Sequence, residues 1–147
     1  MAQEQHLRSL EKRITDRELP ATAFTTTPMA HQLEGLCKLY YFHRYALFWE
    51  AGVGKTKPVV DLLGMLPGER ALVVTQRAVV NNWVNEVARH SGGKLRAVGL
   101  TGSNQAKRKV IAAHKDYDVV VASYGTARTL GTGTLAPSTV NTLRTLV

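Results

Sequence analysis

Trp49-Glu50-Ala51-Gly52-Val53-Gly54-Lys55-Thr56 is the stretch that decides how this chain is read. It follows the apolar run Tyr45-Ala46-Leu47-Phe48 and leads into Val59, Val60, Leu62 and Leu63 at helical spacing. A buried strand, a glycine turn and then a helix is the order that a phosphate-cradling loop requires. Gly52 and Gly54 can take backbone angles that other residues resist, so successive N–H groups across Val53 can turn inward around a polyphosphate. Lys55 is then placed to reach β- and γ-phosphates, and the Thr56 hydroxyl to complete a Mg²⁺ shell. The strict pattern carries glycine five positions before Gly54, where Trp49 stands. The match is to the relaxed form of the loop.

Working outward, 147 residues with 44% hydrophobic content amount to about one domain with a real core. Lys and Arg number 19 against 11 Asp and Glu. The resulting pI of about 9.9 favours an acidic partner, most commonly nucleic acid. Cys37 is alone in an apolar helical pattern, as expected of a core thiol in a reducing compartment. No Cys/His clusters fall at metal-ligand spacing. The first 19 residues are mixed in charge without an apolar centre, which excludes a signal peptide, and no apolar run approaches the roughly 20 residues that span a bilayer. The expectation is a soluble, cytoplasmic protein without membrane partners.

Residues 4–18 set Leu7, Leu10 and Ile14 on one side among charges, which predicts an exposed helix ended by Pro20. Ala21 to Thr27 reads as a linker. Thr27-Pro28 looks like an N-cap and first-turn proline. Met29, Leu33, Leu36, Cys37 and Tyr40 then predict a core-facing helix to about residue 42. Gln32 lies early in that helix, where glutamine is most often solvated. A second helix begins at Lys55, carries Pro58 in its first turn and ends at Leu66-Pro67-Gly68-Glu69.

Ala71 to Thr75 is a short apolar run expected for a strand covered on both faces. Val79, Val80, Trp83, Val84 and Val87 form a helical stripe closed by Ser91-Gly92-Gly93. Further strands are predicted at 95–100 and 118–122, with a helix over 104–115 between them that bears Lys107, Arg108, Lys109 and Lys115. Gly131 to Ser138 reads as a loop, and Leu143 to Val147 as the beginning of a fifth strand. Strands alternating with helices predict an α/β fold, a doubly wound parallel sheet, with ligands beyond the carboxyl ends of its strands.

Taken together, these stretches resemble the first RecA-like domain of superfamily-two helicases, closest to the Swi/Snf-type DNA translocases and their phage and bacterial relatives. The resemblance covers residues 27–128. His31-Gln32-x-x-Gly35-Leu36 looks like the adenine-reading glutamine motif, and Glu50 to Thr56 looks like motif I, whose family form also lacks the first glycine. Leu72-Val73-Val74-Thr75-Gln76, with Trp83 and Glu86 after it, resembles motif Ia, although the family usually has proline where Gln76 stands. Val119 to Tyr124 resembles the strand and Ser/Thr-Tyr turn that track a nucleic-acid backbone. The resemblance implies a P-loop NTPase domain over residues 27–147, preceded by an N-terminal helix and linker over 1–26. It implies ATP and Mg²⁺ held by Gln32, Gly52, Val53, Gly54, Lys55 and Thr56, with Lys55 and Thr56 catalytic. It also implies sequence-independent contacts to DNA from Gln76, Arg77, Gly102, Ser103, Ser123 and Tyr124.

One departure stands beside the match. Family members carry an Asp-Glu pair, motif II, at the end of the next strand, and this sequence contains no Asp-Glu dipeptide. Glu50, Asp61, Glu86, Asp116 and Asp118 read better as helix-surface or strand-edge charges than as metal ligands. Three readings follow. The first is the ATP-binding part of a DNA-dependent ATPase or translocase on duplex DNA, completed by the remainder of the helicase. The second is a non-catalytic, truncated or split module working through a complementary polypeptide. The third is a basic nucleic-acid-binding domain whose glycine loop holds only a structural phosphate. In the resembled family the strand beside the phosphate-loop strand comes after motif II. Residues 1–147 are therefore expected to be part of a larger unit, with Tyr45 to Trp49 lacking a central neighbour.

Overall fold

Continuous runs of β-branched residues, as in Val119-Val120-Val121, favour strands buried on both faces, and parallel pairing then needs a crossover between each strand and the next. The computed structural model describes residues 5, 8, 9, 12, 25–42, 44–131 and 144–146. They fall into two compact units, Met1–Pro67 and Gly68–Val147.

The second unit holds the sheet. Strands β1 (Ala71–Thr75), β2 (Ala97–Gly99), β3 (Val119–Ser123) and β4 (Arg144–Leu146) lie in the order β2-β3-β1-β4, and every pairing is parallel. Ala71 faces Val119 on one side and Arg144 on the other, so the strands begin level. The crossovers are α3 (Val80–Ser91), entered through a 3-10 turn at Arg77–Val79, and α4 (Asn104–Ala112). A further helix, α5 (Tyr124–Gly131), follows β3 directly. Leu72, Val120 and Ala122 pack with Leu100, Ile111 and Leu130 in one buried cluster. Val80 and Val87 of α3 are also fully buried. A Cβ at Gly99 would come within 2.8 Å of Val80 Cγ1, so α3 can approach β2 only over glycine.

The α/β class and parallel sheet are as expected, with local revisions. The strand read at 95–100 shortens to 97–99, and the strand at 118–122 moves one residue on, to 119–123. The helix at 104–115 stops at Ala112 and gives way to a 3-10 turn at His114–Asp116. Gly92, in a left-handed conformation at φ 61°, ends α3 where the Ser-Gly-Gly run places it.

The first unit is built on α1 (Ala30–Phe42) and α2 (Thr56–Gly64). Leu36, Cys37 and Leu62 are its buried cluster, flanked by Leu33, Leu39, Tyr41, Met65 and Leu66. Met29 and Tyr40, expected in the core, are 63% and 39% exposed. Met29 precedes the 13-residue helix and Tyr40 lies in its last turn, while the nine-residue partner packs on its middle. The helix also starts later than Thr27-Pro28 suggested. Its first turn is closed by Gln32, whose Oε1 accepts from the Met29 N–H at 3.0 Å, the glutamine half of a capping box.

Two further corrections concern this unit. Residues 45–50 form no strand, and Phe48 is 94% exposed. A strand is held by its ladder, and no described strand pairs with this one. Side chains order it instead: Tyr45 stacks on Phe42 with centroids 5.7 Å apart, and Trp49 packs against α1. Asp61 is not a surface charge. It is 1% exposed and accepts from Lys57 Nζ at 2.6 Å, and Lys57 is itself 3% exposed. Of the N-terminal helix, Gln5, Arg8, Ser9 and Lys12 are helical and exposed; Leu7, Leu10 and Ile14 lie outside the described residues, as does 132–138 of the predicted loop.

Removing one member of a buried ion pair strands the other charge, at about 3–5 kcal/mol. Asp61→Ala should therefore lower the unfolding free energy by about that amount in a denaturant titration, and Lys57→Met combined with Asp61→Leu should recover most of it. A single and a double variant of equal stability would show that the pair does not hold this unit together.

Candidate functional site

The glycine loop adopts the backbone its composition allows. Gly52 has φ 83° and Gly54 φ 79°, both left-handed, while Lys55 is right-handed at φ −58°. Alternation of this kind turns consecutive N–H groups to one side and makes a concavity for anions. Thr56 is the first residue of α2, so the loop opens onto a helix N-terminus, where the dipole favours negative charge. The first turn of α2 has no acidic residue to oppose it. Lys55 occupies the cap position without using its side chain to cap, and both Lys55 and Thr56 are half-buried. A Cβ at Gly52 would meet nothing within 4 Å, so glycine is needed there for φ and not for space.

Gln32, 5% exposed, lies against this loop. Its Nε2 donates to the carbonyls of Val53 at 3.4 Å and Gly54 at 3.3 Å. A Cβ at Gly54 would stand 2.5 Å from that same nitrogen, so a side chain there would push the Gln32 amide off the loop in addition to straining φ. The six residues read as a nucleotide site are thus contiguous: Gln32 backs the loop and Gly52 to Thr56 form it. His31, which the sequence reading quoted without a role, also reaches the loop, with Nε2 3.0 Å from the Val53 carbonyl. Its only sequence signal is its place beside Gln32.

For Mg²⁺ the fit is partial. The Thr56 hydroxyl, at the loop's helical end, is the hard oxygen donor that such an ion accepts while a polyphosphate supplies most of its shell. Among the described residues no group of three His, Cys, Asp or Glu side chains could hold a metal without that phosphate.

The second unit presents a different surface. The carboxyl ends of β1, β2 and β3 open into a cleft of about 560 Å³. Gln76 and Arg77 enter it from the loop after β1, Thr101 and Gly102 from the loop after β2, and Ser123 and Tyr124 from the end of β3. Five of the six residues read as nucleic-acid contacts line this cleft. Ser103 does not; its hydroxyl accepts from the Ala106 N–H at 3.2 Å and caps α4. Ser123 plays a similar part at α5, accepting from the Thr126 N–H at 3.4 Å. Gln76 has φ −68°, within the range a proline would impose, so the bend survives the replacement of the family's proline.

Lys107, half-buried on α4, joins Arg77 in the lining, and none of the lining residues is acidic. Arg108 and Lys109 are exposed. The wall is therefore cationic and hydroxyl-bearing, with helix N-termini following each strand. Tyr124, 60% exposed, begins α5 and adds an aromatic face. No helix among the described residues is long and apolar enough to cross a membrane.

A comparison with curated proteins finds no match to this chain. A family model described as the SNF2-related domain matches residues 31–131, from the histidine beside Gln32 to the end of α5. That match takes in both the glycine loop and the cleft, and the chain belongs to the SNF2-related domain family, whose ATPase domains generally use ATP and Mg²⁺ and typically engage DNA.

Proposed function

We propose that this chain is the ATP-binding part of a DNA-dependent translocase acting on duplex DNA, with residues 27–147 forming part of one RecA-like domain. The observation that carries the reading is the loop of two left-handed glycines opening onto the N-terminus of α2, with Lys55 and Thr56 at its end. In this reading ATP lies with its phosphates in the loop, Lys55 meets the β- and γ-phosphates, and Thr56 contributes to the Mg²⁺ shell. The cleft beyond β1, β2 and β3 meets the DNA backbone. Its groups are cations, hydroxyls and backbone amides, which recognise phosphate without reading base sequence.

Phosphoryl transfer also needs a carboxylate pair to position metal and water. The 147 residues contain no Asp-Glu dipeptide. The second reading is therefore a nucleotide- and DNA-binding module whose turnover arises only when a complementary polypeptide supplies that pair. ATP turnover that appears on adding such a segment, and is absent without it, separates the second reading from a self-sufficient ATPase.

Lys55→Ala removes the loop's one cationic side chain, and charge-assisted hydrogen bonds of this type contribute about 1.5–3 kcal/mol. ATP affinity measured by calorimetry should fall roughly tenfold to a hundredfold. Unchanged affinity would show that the loop holds no triphosphate.

DNA binding should be sequence-independent and steeply salt-sensitive, because each phosphate neutralised releases counterions. Removing both Arg77 and Lys107 by alanine substitution should reduce the slope of log affinity against log salt by about 1–2 in an anisotropy titration. A slope that stays the same would place the DNA elsewhere on the protein.

A further inference from the structure

Trp49 stands where the strict phosphate-loop pattern has glycine, and the structure shows what the tryptophan does there. Its ring lies against Gly35 of α1, where a Cβ would come within 2.5 Å of Trp49 Cη2. The same ring system packs T-shaped with His31, centroids 5.0 Å apart and planes at 83°. The imidazole is thus held in place from one side and aims Nε2 at the Val53 carbonyl, 3.0 Å away. A carbonyl oxygen only accepts, so His31 carries its proton on Nε2.

That bond has a consequence on the other side of the peptide. The described residues contain no cis peptide bond, and in a trans peptide the C=O and the following N–H point in opposite directions. Holding the Val53 carbonyl toward α1 turns the Gly54 N–H away from α1. The Gly54 carbonyl is held in the same way by Gln32 Nε2, at 3.3 Å, and by the Lys57 N–H, also at 3.3 Å. The Lys55 N–H is turned accordingly. These two amides are the donors that a phosphate in the loop would meet.

We propose that His31 is a positioning residue for the phosphate loop: through the Val53 carbonyl it orients the Gly54 N–H toward bound phosphate, with Trp49 as its support. The inference rests on the reading of residues 49–56 as a phosphate loop. It separates the roles of two neighbouring residues. Gln32 backs two carbonyls and closes the first turn of α1, whereas His31 acts on one carbonyl alone. The competing account is packing, in which His31 only helps α1 to rest on the loop.

Phosphate-bearing and phosphate-free ligands distinguish the two. The full chain, with His31→Phe, His31→Gln and Lys55→Ala variants, is titrated with ATP, ADP and adenosine. His31→Phe keeps an aromatic edge against Trp49 and removes the donor. His31→Gln places an amide N–H near the Nε2 position. The expected result is a loss of about tenfold in ATP and ADP affinity for His31→Phe, adenosine affinity within twofold of the parent, and recovery to within about threefold in His31→Gln. Equal losses for ATP and adenosine, or no loss for ATP while Lys55→Ala weakens it, would overturn the positioning role and leave the phosphate-loop reading intact. ATP affinity indifferent to Lys55→Ala, or a parent protein that binds neither ATP nor ADP, would overturn the phosphate-loop reading and this role with it.

Discussion

The absence of a side chain at Gly54 is the constraint on which the first unit depends. A methyl group there would occupy the space of the Gln32 amide, and φ 79° would strain any residue that carried one. Because the position is bare, α1 can lie directly on the loop, where Gln32 donates to the Val53 carbonyl and shares the Gly54 carbonyl with the Lys57 N–H. The same contact closes the first turn of α1, since one amide group donates to the loop with its nitrogen and caps the helix with its oxygen. Helix start and loop are therefore tied together by one side chain.

In the second unit the corresponding constraint is parallel pairing. Every strand of a parallel sheet delivers its carboxyl end to the same edge, so the loops after β1, β2 and β3 meet without any contact chosen for that purpose. Each then leads into a helix or helical turn. What the sequence adds is charge of one sign: Arg77 and Lys107 enter the cleft and no carboxylate does. Hydroxyls that could compete for the same phosphates are partly committed, since Ser103 and Ser123 cap the helices that follow them. On the proposed reading, the Arg77 and Lys107 cations remain as the groups for phosphate.

The parts of the fold legible in the sequence are those where a single physical signal dominates. β1 and β3 are unbroken apolar runs of strand length, and their limits were readable to within one residue. Tyr45 to Phe48 carries a similar signal and is irregular and exposed, because an apolar run states only a preference for burial. Whether it becomes a strand depends on a neighbour from elsewhere in the chain. Asp61 misled for a related reason. Lys and Asp at i and i+4 are the commonest surface pattern on helices, and nothing local distinguishes a pair that the fold covers. The Gln32 cap was hidden because Met29 is no ordinary N-cap, and Thr27-Pro28 offered a better local signal two residues earlier. The turn of the glycine loop and the helix after it were legible, since left-handed glycines and an apolar helical stripe follow from residue types. The strand expected before it does not form.

His31 shows where the remainder of the site is written. A phosphate loop that begins with glycine can set its own curvature, because each turn position is free to take whatever angle the ligand demands. Here the first position is tryptophan, which adds a rigid ring and removes that freedom. The ring is accommodated only because Gly35 leaves a notch in α1, and it then serves as a wall for the imidazole. Part of the loop's shape thus comes from outside it, from adjacent His31 and Gln32 and, one turn further on, Gly35, in a helix some 20 residues earlier. Such a loop is shaped by packing rather than by the freedom of its own residues, and on the proposed reading its donors need little rearrangement to meet a phosphate. The substitution that weakens the match to the strict pattern is the one that ties the loop to the rest of its unit.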